Sequence, residues 1–95
     1  MSYQVDTLPS ARRDFDGLPP AIQERVAEVL RALAANPLPH GHKPLREQAL
    51  KGSYRVHVGR GYCVGYDIDE TARIVEVWQI ARRDRFYEKA KRRRR

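Results

Sequence analysis

The sequence predicts an α+β domain, an N-terminal strand and a two-helix hairpin packed on an antiparallel β-sheet, closed by a short helix. Three observations lead to that class. Apolar residues recur at helical spacing between Ile22 and Leu33, apolar and polar residues alternate between Tyr54 and Tyr66, and proline and glycine separate the two regimes. The 95 residues form a single small domain, 1–95, able to bury about 60% of the surface its unfolded chain exposes.

Tyr3 to Leu8 is rich in strand formers and Pro9 ends it. Ser10 is placed to cap a helix over Ala11 to Asp16, with Gly17 at its stop. Pro19-Pro20 opens a second helix, on which Ile22, Val26, Val29, Leu30 and Leu33 form one apolar stripe, and Asn36-Pro37 closes it. Pro37 to Pro44 reads as a loop, and Leu45 to Leu50 as one irregular turn. From Ser53 the period becomes two. Tyr54, Val56 and Val58, a Gly59-Arg60-Gly61 turn, and Tyr62, Val64 and Tyr66 make a hairpin. Asp67, Asp69 and Glu70 read as turn residues, and Ala72 to Ile80 as the third strand of a meander, with Trp78 in the core. Asp84 is placed to cap a final helix running into a flexible basic tail, 92–95.

The formal net charge is +7, from 19 Lys and Arg against 12 Asp and Glu. It sits almost wholly at one end. Residues 1–81 hold ten basic and ten acidic residues, whereas residues 82–95 hold nine basic and two acidic ones. Such a block favours a polyanionic partner. One cysteine excludes an internal disulfide framework, and there is neither an apolar run near the ~20 residues that span a bilayer nor a signal-peptide core. A cytoplasmic protein without a membrane role is the expectation.

With Val58 opposite Tyr62, the hairpin places His57 across from Cys63 and Arg55 across from Gly65. These four share the face opposite Tyr54, Val56, Val64 and Tyr66, and the glycine predicts a shallow positive concavity there. A neighbouring last strand brings Arg82 and Arg83 to the same face, with Tyr87 one helical turn later. Cleaving an RNA phosphodiester through its own 2′-hydroxyl needs a base, positive charge for the phosphorane and an acid for the leaving 5′-oxygen. His57 suits proton transfer near neutrality. Arg55 and Arg83 suit phosphate, and Tyr87 suits stacking or hydrogen bonding to the nucleotide. Arg55 and His57 lining a solvated face is the plainer reading of the pattern alone. His40 and His42, with His57 and Cys63, match no structural-zinc spacing, so no metal or other cofactor is expected. Cys63 beside His57 has the composition of a Cys–His nucleophile pair but no evident oxyanion device.

Several strings in order and spacing resemble the RelE/ParE superfamily of type II toxin–antitoxin toxins. They are Leu18-Pro19-Pro20 before the long helix, Asn36-Pro37 at its end, Tyr54 to Gly59 with Gly61-Tyr62, Tyr66 to Asp69, and Ile80 to Tyr87. The resemblance implies a toxin neutralised by an acidic antitoxin, with operator DNA bound through that antitoxin. Its RelE-like branch implies a ribosome-dependent endoribonuclease that cuts mRNA without metal. The matching catalytic positions are Arg55, His57, Arg83 (with Arg82 as the register alternative) and Tyr87. Arg60, Arg82, Arg85, Lys89, Lys91, Arg92 and Arg93 are the candidate contacts to RNA and ribosome. Cys63 departs from the pattern, standing where such nucleases usually carry arginine; compensation by Arg60 or Arg55 is one reading. Two alternatives remain, a ParE-like inhibitor of DNA gyrase and a catalytically weakened relative acting mainly as an antitoxin-binding partner.

Overall fold

The computed structural model describes residues 2–94. The chain runs β1 (Gln4–Thr7), α1 (Pro9–Asp16), α2 (Pro20–Ala35), β2 (Lys43–Pro44), a 3-10 turn (Gln48–Leu50), β3 (Tyr54–Val58), β4 (Tyr62–Asp69), β5 (Ile74–Arg82) and α3 (Phe86–Arg94). The predicted meander is the centre of a larger sheet. Its five strands are ordered β1-β5-β4-β3-β2, and β1 lies parallel to β5. A three-stranded antiparallel sheet is therefore corrected to a mixed, five-stranded one. The reason is that β5 otherwise leaves an edge of unpaired backbone groups, which β1 satisfies from the other end of the chain.

Local expectations at helix starts were partly wrong. α1 begins at Pro9, and the Ser10 hydroxyl donates to the Trp78 carbonyl at 2.9 Å rather than capping. Asp84 pairs with Arg82 at 3.4 Å and lies outside α3. The α2 stripe is as the periodicity predicts: Val26 and Leu33 are fully buried against Val56, Val64, Tyr66, Val75, Val77 and Ile80. Tyr66 sits in that core, its hydroxyl donating to the Pro37 carbonyl at 2.7 Å, and burial pushes its pKa up to about 12.

The opposite face of the sheet carries a second core. Leu45, Leu50, Cys63, Trp78, Ala81, Phe86 and Ala90 are buried together under α3. A register shift makes this possible. Gly65 pairs with Gln79 and Tyr66 with Val77, so Trp78 is an extra residue on β5. The bulge lets β5 send Val77 and Ile80 to the α2 side while Trp78 and Ala81 join the α3 side. Trp78 is core, as its apolar neighbours predict.

Ion pairs anchor α3 along its length. Lys91 meets Glu47 at 2.7 Å, Arg93 meets Asp14 at 2.7 Å, and Arg94 meets Asp67 at 2.8 Å. Asp67, expected in a turn, lies in β4 and also accepts from the Trp78 indole at 3.1 Å and from the Ser53 hydroxyl. Arg92, Arg93 and Arg94, assigned from sequence to a basic tail, form the last turn of α3; Arg95 lies outside the described residues. Among the described residues no helix is long and apolar enough to cross a membrane.

Candidate functional site

The hairpin register is the one its three-residue turn predicts. Val58 pairs with Tyr62, His57 with Cys63 and Arg55 with Gly65. Gly59 takes φ 59°, the left-handed conformation that lets so short a turn close. Beta-strand alternation then puts Arg55 and His57 on the α3 side of the sheet.

That face is not the open concavity expected from Gly65. A Cβ at Gly65 would lie 2.8 Å from Phe86 Cζ and 3.0 Å from Trp78 Cζ2, so the space left by glycine is filled by aromatic rings. Arg55 is only 8% exposed and Cys63 only 2%. The sequence suggested a solvated sheet face because it shows no partner for it; the partner is α3, distant along the chain. Gly65→Ala should force the rings apart and cost about 1–3 kcal/mol, as overpacking does, read as a lower urea midpoint at unchanged m. A loss under about 0.5 kcal/mol would show that the rings reseat freely.

Packing of Phe86 under the sheet orients its neighbour. Gln79 Nε2 donates to the Phe86 carbonyl at 2.9 Å, and Phe86 and Tyr87 meet edge to face at 5.4 Å. Tyr87, 39% exposed, is thereby turned toward Arg55, whose Nε lies 3.4 Å from its hydroxyl oxygen, a long hydrogen bond between residues 32 apart in sequence. Arg83 follows β5, its amide donating to the Gly61 carbonyl at 2.8 Å across the mouth of the hairpin. Arg82 pairs with Tyr62, on the face away from His57, so the register favours Arg83 over Arg82. Arg60, Gly61, Arg82, Arg83 and Asp84 line an open cleft of about 550 Å³ at this end of the sheet.

The electrostatics converge on His57. Burial, then the charges of Arg55, Arg83 and Lys43, hold its pKa below the usual 6.5, so its ring is neutral at pH 7. Lys43 was missed in the sequence. It lies directly opposite Arg55 in the β2–β3 pair, and a two-residue strand leaves no periodic signal. Burial raises the Cys63 thiol pKa despite Arg55 and Arg83, which keeps it protonated and unsuited to act as a nucleophile.

The basic residues assigned to RNA fall into two groups. Arg82, Arg85, Lys91 and Arg93 are engaged with Asp84, Glu88, Glu47 and Asp14. Arg60 lines the cleft beside Arg83, while Lys89 and Arg92 border a small basic hollow on α3. Among the described residues no three His, Cys, Asp or Glu side chains gather to hold one metal ion.

The family model for the ParE toxin of the type II toxin–antitoxin system, parDE, matches residues 5–87. No curated protein sequence gives a significant match. Among solved structures, the toxin–antitoxin complex RelBE2 from Mycobacterium tuberculosis contains a chain 33% identical to this one. The match covers 87% of this chain and all of that one, with a TM-score of 0.78. The archaeal RelE–RelB complex from Pyrococcus horikoshii (22% identity, 90% and 99% coverage, TM-score 0.74) shares the fold. So does a mutant of the Escherichia coli toxin RelE in its free state (20% identity, 98% of both chains, TM-score 0.76). With the family model spanning most of the sequence and a third of positions identical to a solved relative over its whole length, the chain belongs to the ParE toxin family of type II toxin–antitoxin systems, within the RelE/ParE superfamily.

Proposed function

We propose that this toxin is a metal-independent endoribonuclease that cuts mRNA on the ribosome and so inhibits translation. The observation that carries the reading is the meeting of Arg55 and Tyr87 beside His57, within the field of Arg83. A neutral His57 accepts the proton of the RNA 2′-hydroxyl, and the oxyanion attacks the adjacent phosphorus. Arg55 and Arg83 balance the charge that develops on the phosphorane oxygens. The Tyr87 hydroxyl, polarised by Arg55, supplies the proton to the departing 5′-oxygen, leaving a 2′,3′-cyclic phosphate. The site is an open surface rather than an enclosed pocket, which suits a substrate presented by a larger particle, and Arg60, Lys89 and Arg92 are the basic residues best placed to hold rRNA. An acidic antitoxin, as in the solved toxin–antitoxin complexes of its relatives, is the neutralising partner, and operator DNA is reached through it. The cytoplasm is the compartment in which ribosome and mRNA are met.

The test is induction of the toxin followed by mapping of RNA 5′ ends in a translated transcript and an untranslatable copy. Cuts within codons of the translated message alone are expected; intact RNA in both overturns the reading. The match to the ParE family model keeps gyrase inhibition as the second reading, and it predicts DNA breaks with mRNA intact. The weakened-relative reading predicts no growth arrest at all.

The direction of the His57 shift adds a prediction. A base with its pKa below 6.5 is already free at neutral pH, so the single-turnover rate should fall only as pH drops below about 6.5. A limb centred above 6.5 would remove His57 as the base. Stability follows the same sign: the native state binds fewer protons than the unfolded chain, so His57 lowers stability as pH falls through 6.5, levelling off below its folded pKa.

A further inference from the structure

We propose that Lys43 forms a second phosphate subsite, which takes the backbone phosphate of a nucleotide flanking the scissile one, on the opposite side of His57 from Arg83. The proposal rests on the endoribonuclease reading and adds to it the direction in which RNA crosses the sheet.

Lys43 belongs to the edge strand β2 and stands directly opposite Arg55. Residues paired in this way project from the same face, so Lys43 joins Arg55 and His57 on the side of the candidate site. Residues on either side of it are tied down. The His42 ring packs edge to face on Tyr54 at 5.9 Å, and its Nδ1 lies 2.8 Å from the Pro39 carbonyl oxygen. Tyr54 in turn stacks on the core residue Tyr66 at 5.9 Å. On the other side, the Leu45 amide donates to the Ser53 carbonyl at 2.9 Å and its side chain is buried in the second core. Between these anchors Lys43 is exposed and has no ion pair among the described residues, whereas Lys91, Arg93 and Arg94 are all paired. The fold therefore fixes the backbone of a cation whose charge is left uncompensated.

The strand order gives this charge its meaning. His57 lies on β3, Lys43 on β2 and Arg83 just beyond β5, so the two cations flank the histidine from opposite sides. From β2 to β5 is three strand spacings, about 14 Å. That exceeds one phosphate and suits a short stretch of extended single strand. Cys63, buried and protonated, leaves the position paired with His57 without a charge. Lys43 makes good that deficit from the other side of His57, a placement that Arg60 on the β3–β4 turn does not share.

The test uses a short 2′-O-methyl oligoribonucleotide, which binds without being cleaved, titrated at several salt concentrations. Lys43→Ala should lower the slope of log affinity against log salt by about 0.7, the contribution of one single-strand phosphate contact. Lys43→Arg should restore it. The His57 ring, followed by NMR, should titrate at higher pH in Lys43→Ala than in the parent, since one cation has left its surroundings. An unchanged slope in Lys43→Ala overturns the proposal, as does a parent that binds polyglutamate but not the oligonucleotide. If the parent fails to cut mRNA yet shows the Lys43-dependent slope, the subsite stands and the nuclease reading falls. If the parent cuts mRNA and Lys43→Ala matches it in slope and KM, the nuclease reading stands and the subsite falls.

Discussion

Arg83→Ala should lower the single-turnover rate of mRNA cleavage on the ribosome by about 10²–10³-fold, the usual cost of removing one preorganised donor to a developing oxyanion. The fold should not suffer. Arg83 is exposed, and what ties it to the hairpin is its backbone amide on the Gly61 carbonyl, which alanine retains. An unchanged thermal midpoint beside a collapsed rate is the expected pair of results. Arg83→Lys should recover only part of the rate, because an ammonium lacks the planar fork that spans two phosphorane oxygens. Arg82→Ala is the internal comparison. Its residue pairs with Tyr62 on the face away from His57, so its loss should change the salt dependence of binding rather than the rate. Equal rate losses for the two arginines would mean that net charge, not the position of Arg83, matters.

Trp78→Ala should be the most destabilising single change in the molecule, at about 3–5 kcal/mol. A domain of this size has only about 5–15 kcal/mol in total. The indole is buried beneath α3, tilted against Phe86 at 6.0 Å, and donates to Asp67 at 3.1 Å. Arg94 lies 4.7 Å above its ring while pairing with Asp67, so one truncation removes a packing surface, a hydrogen bond and a cation–π contact. Urea denaturation is the measurement, with a large fall in midpoint expected. Because Phe86 loses the ring that seats it, Tyr87 should drift from Arg55 and activity should fall further than the folded fraction. Trp78→Phe should restore most of the stability but not the Asp67 bond. A cost below about 1 kcal/mol for alanine would mean that α3 is not held by this core.

What was legible in the sequence follows the range of the interactions concerned. The α2 helix is written in the spacing of Ile22, Val26, Val29, Leu30 and Leu33, because each helical turn is decided by residues three and four apart. The β3–β4 register is legible for the same reason. A three-residue turn leaves Val58 and Tyr62 no other way to pair, and His57, Cys63, Arg55 and Gly65 follow by alternation. Alternation likewise sets Arg55 and His57 on one face of that hairpin, whereas the approach of Tyr87 to Arg55 depends on how α3 packs.

Other features were not legible, since each depends on segments that meet only after folding. β1 pairs with β5 across some seventy residues, and neither strand names the other. The bulge at Trp78 inverts the alternation of β5, so strict period-two reading onward from Val75 and Val77 assigns Ile80 and Ala81 to the wrong faces. Asp67 resembles a turn residue until Ser53, Trp78 and Arg94 converge on it.

The sequence by itself determined an α+β toxin fold, a cationic hairpin face and a C-terminal concentration of charge. The tertiary structure decided how that charge is used. It engages Lys91, Arg93 and Arg94 in holding α3 down, fills the hollow at Gly65 with Phe86 and Trp78, and leaves Arg83 and Lys43 without an ion pair among the described residues on either side of His57. Local spacing can place a charge on a face, but only the opposing surface settles whether that charge meets a carboxylate of its own chain or remains available to a phosphate.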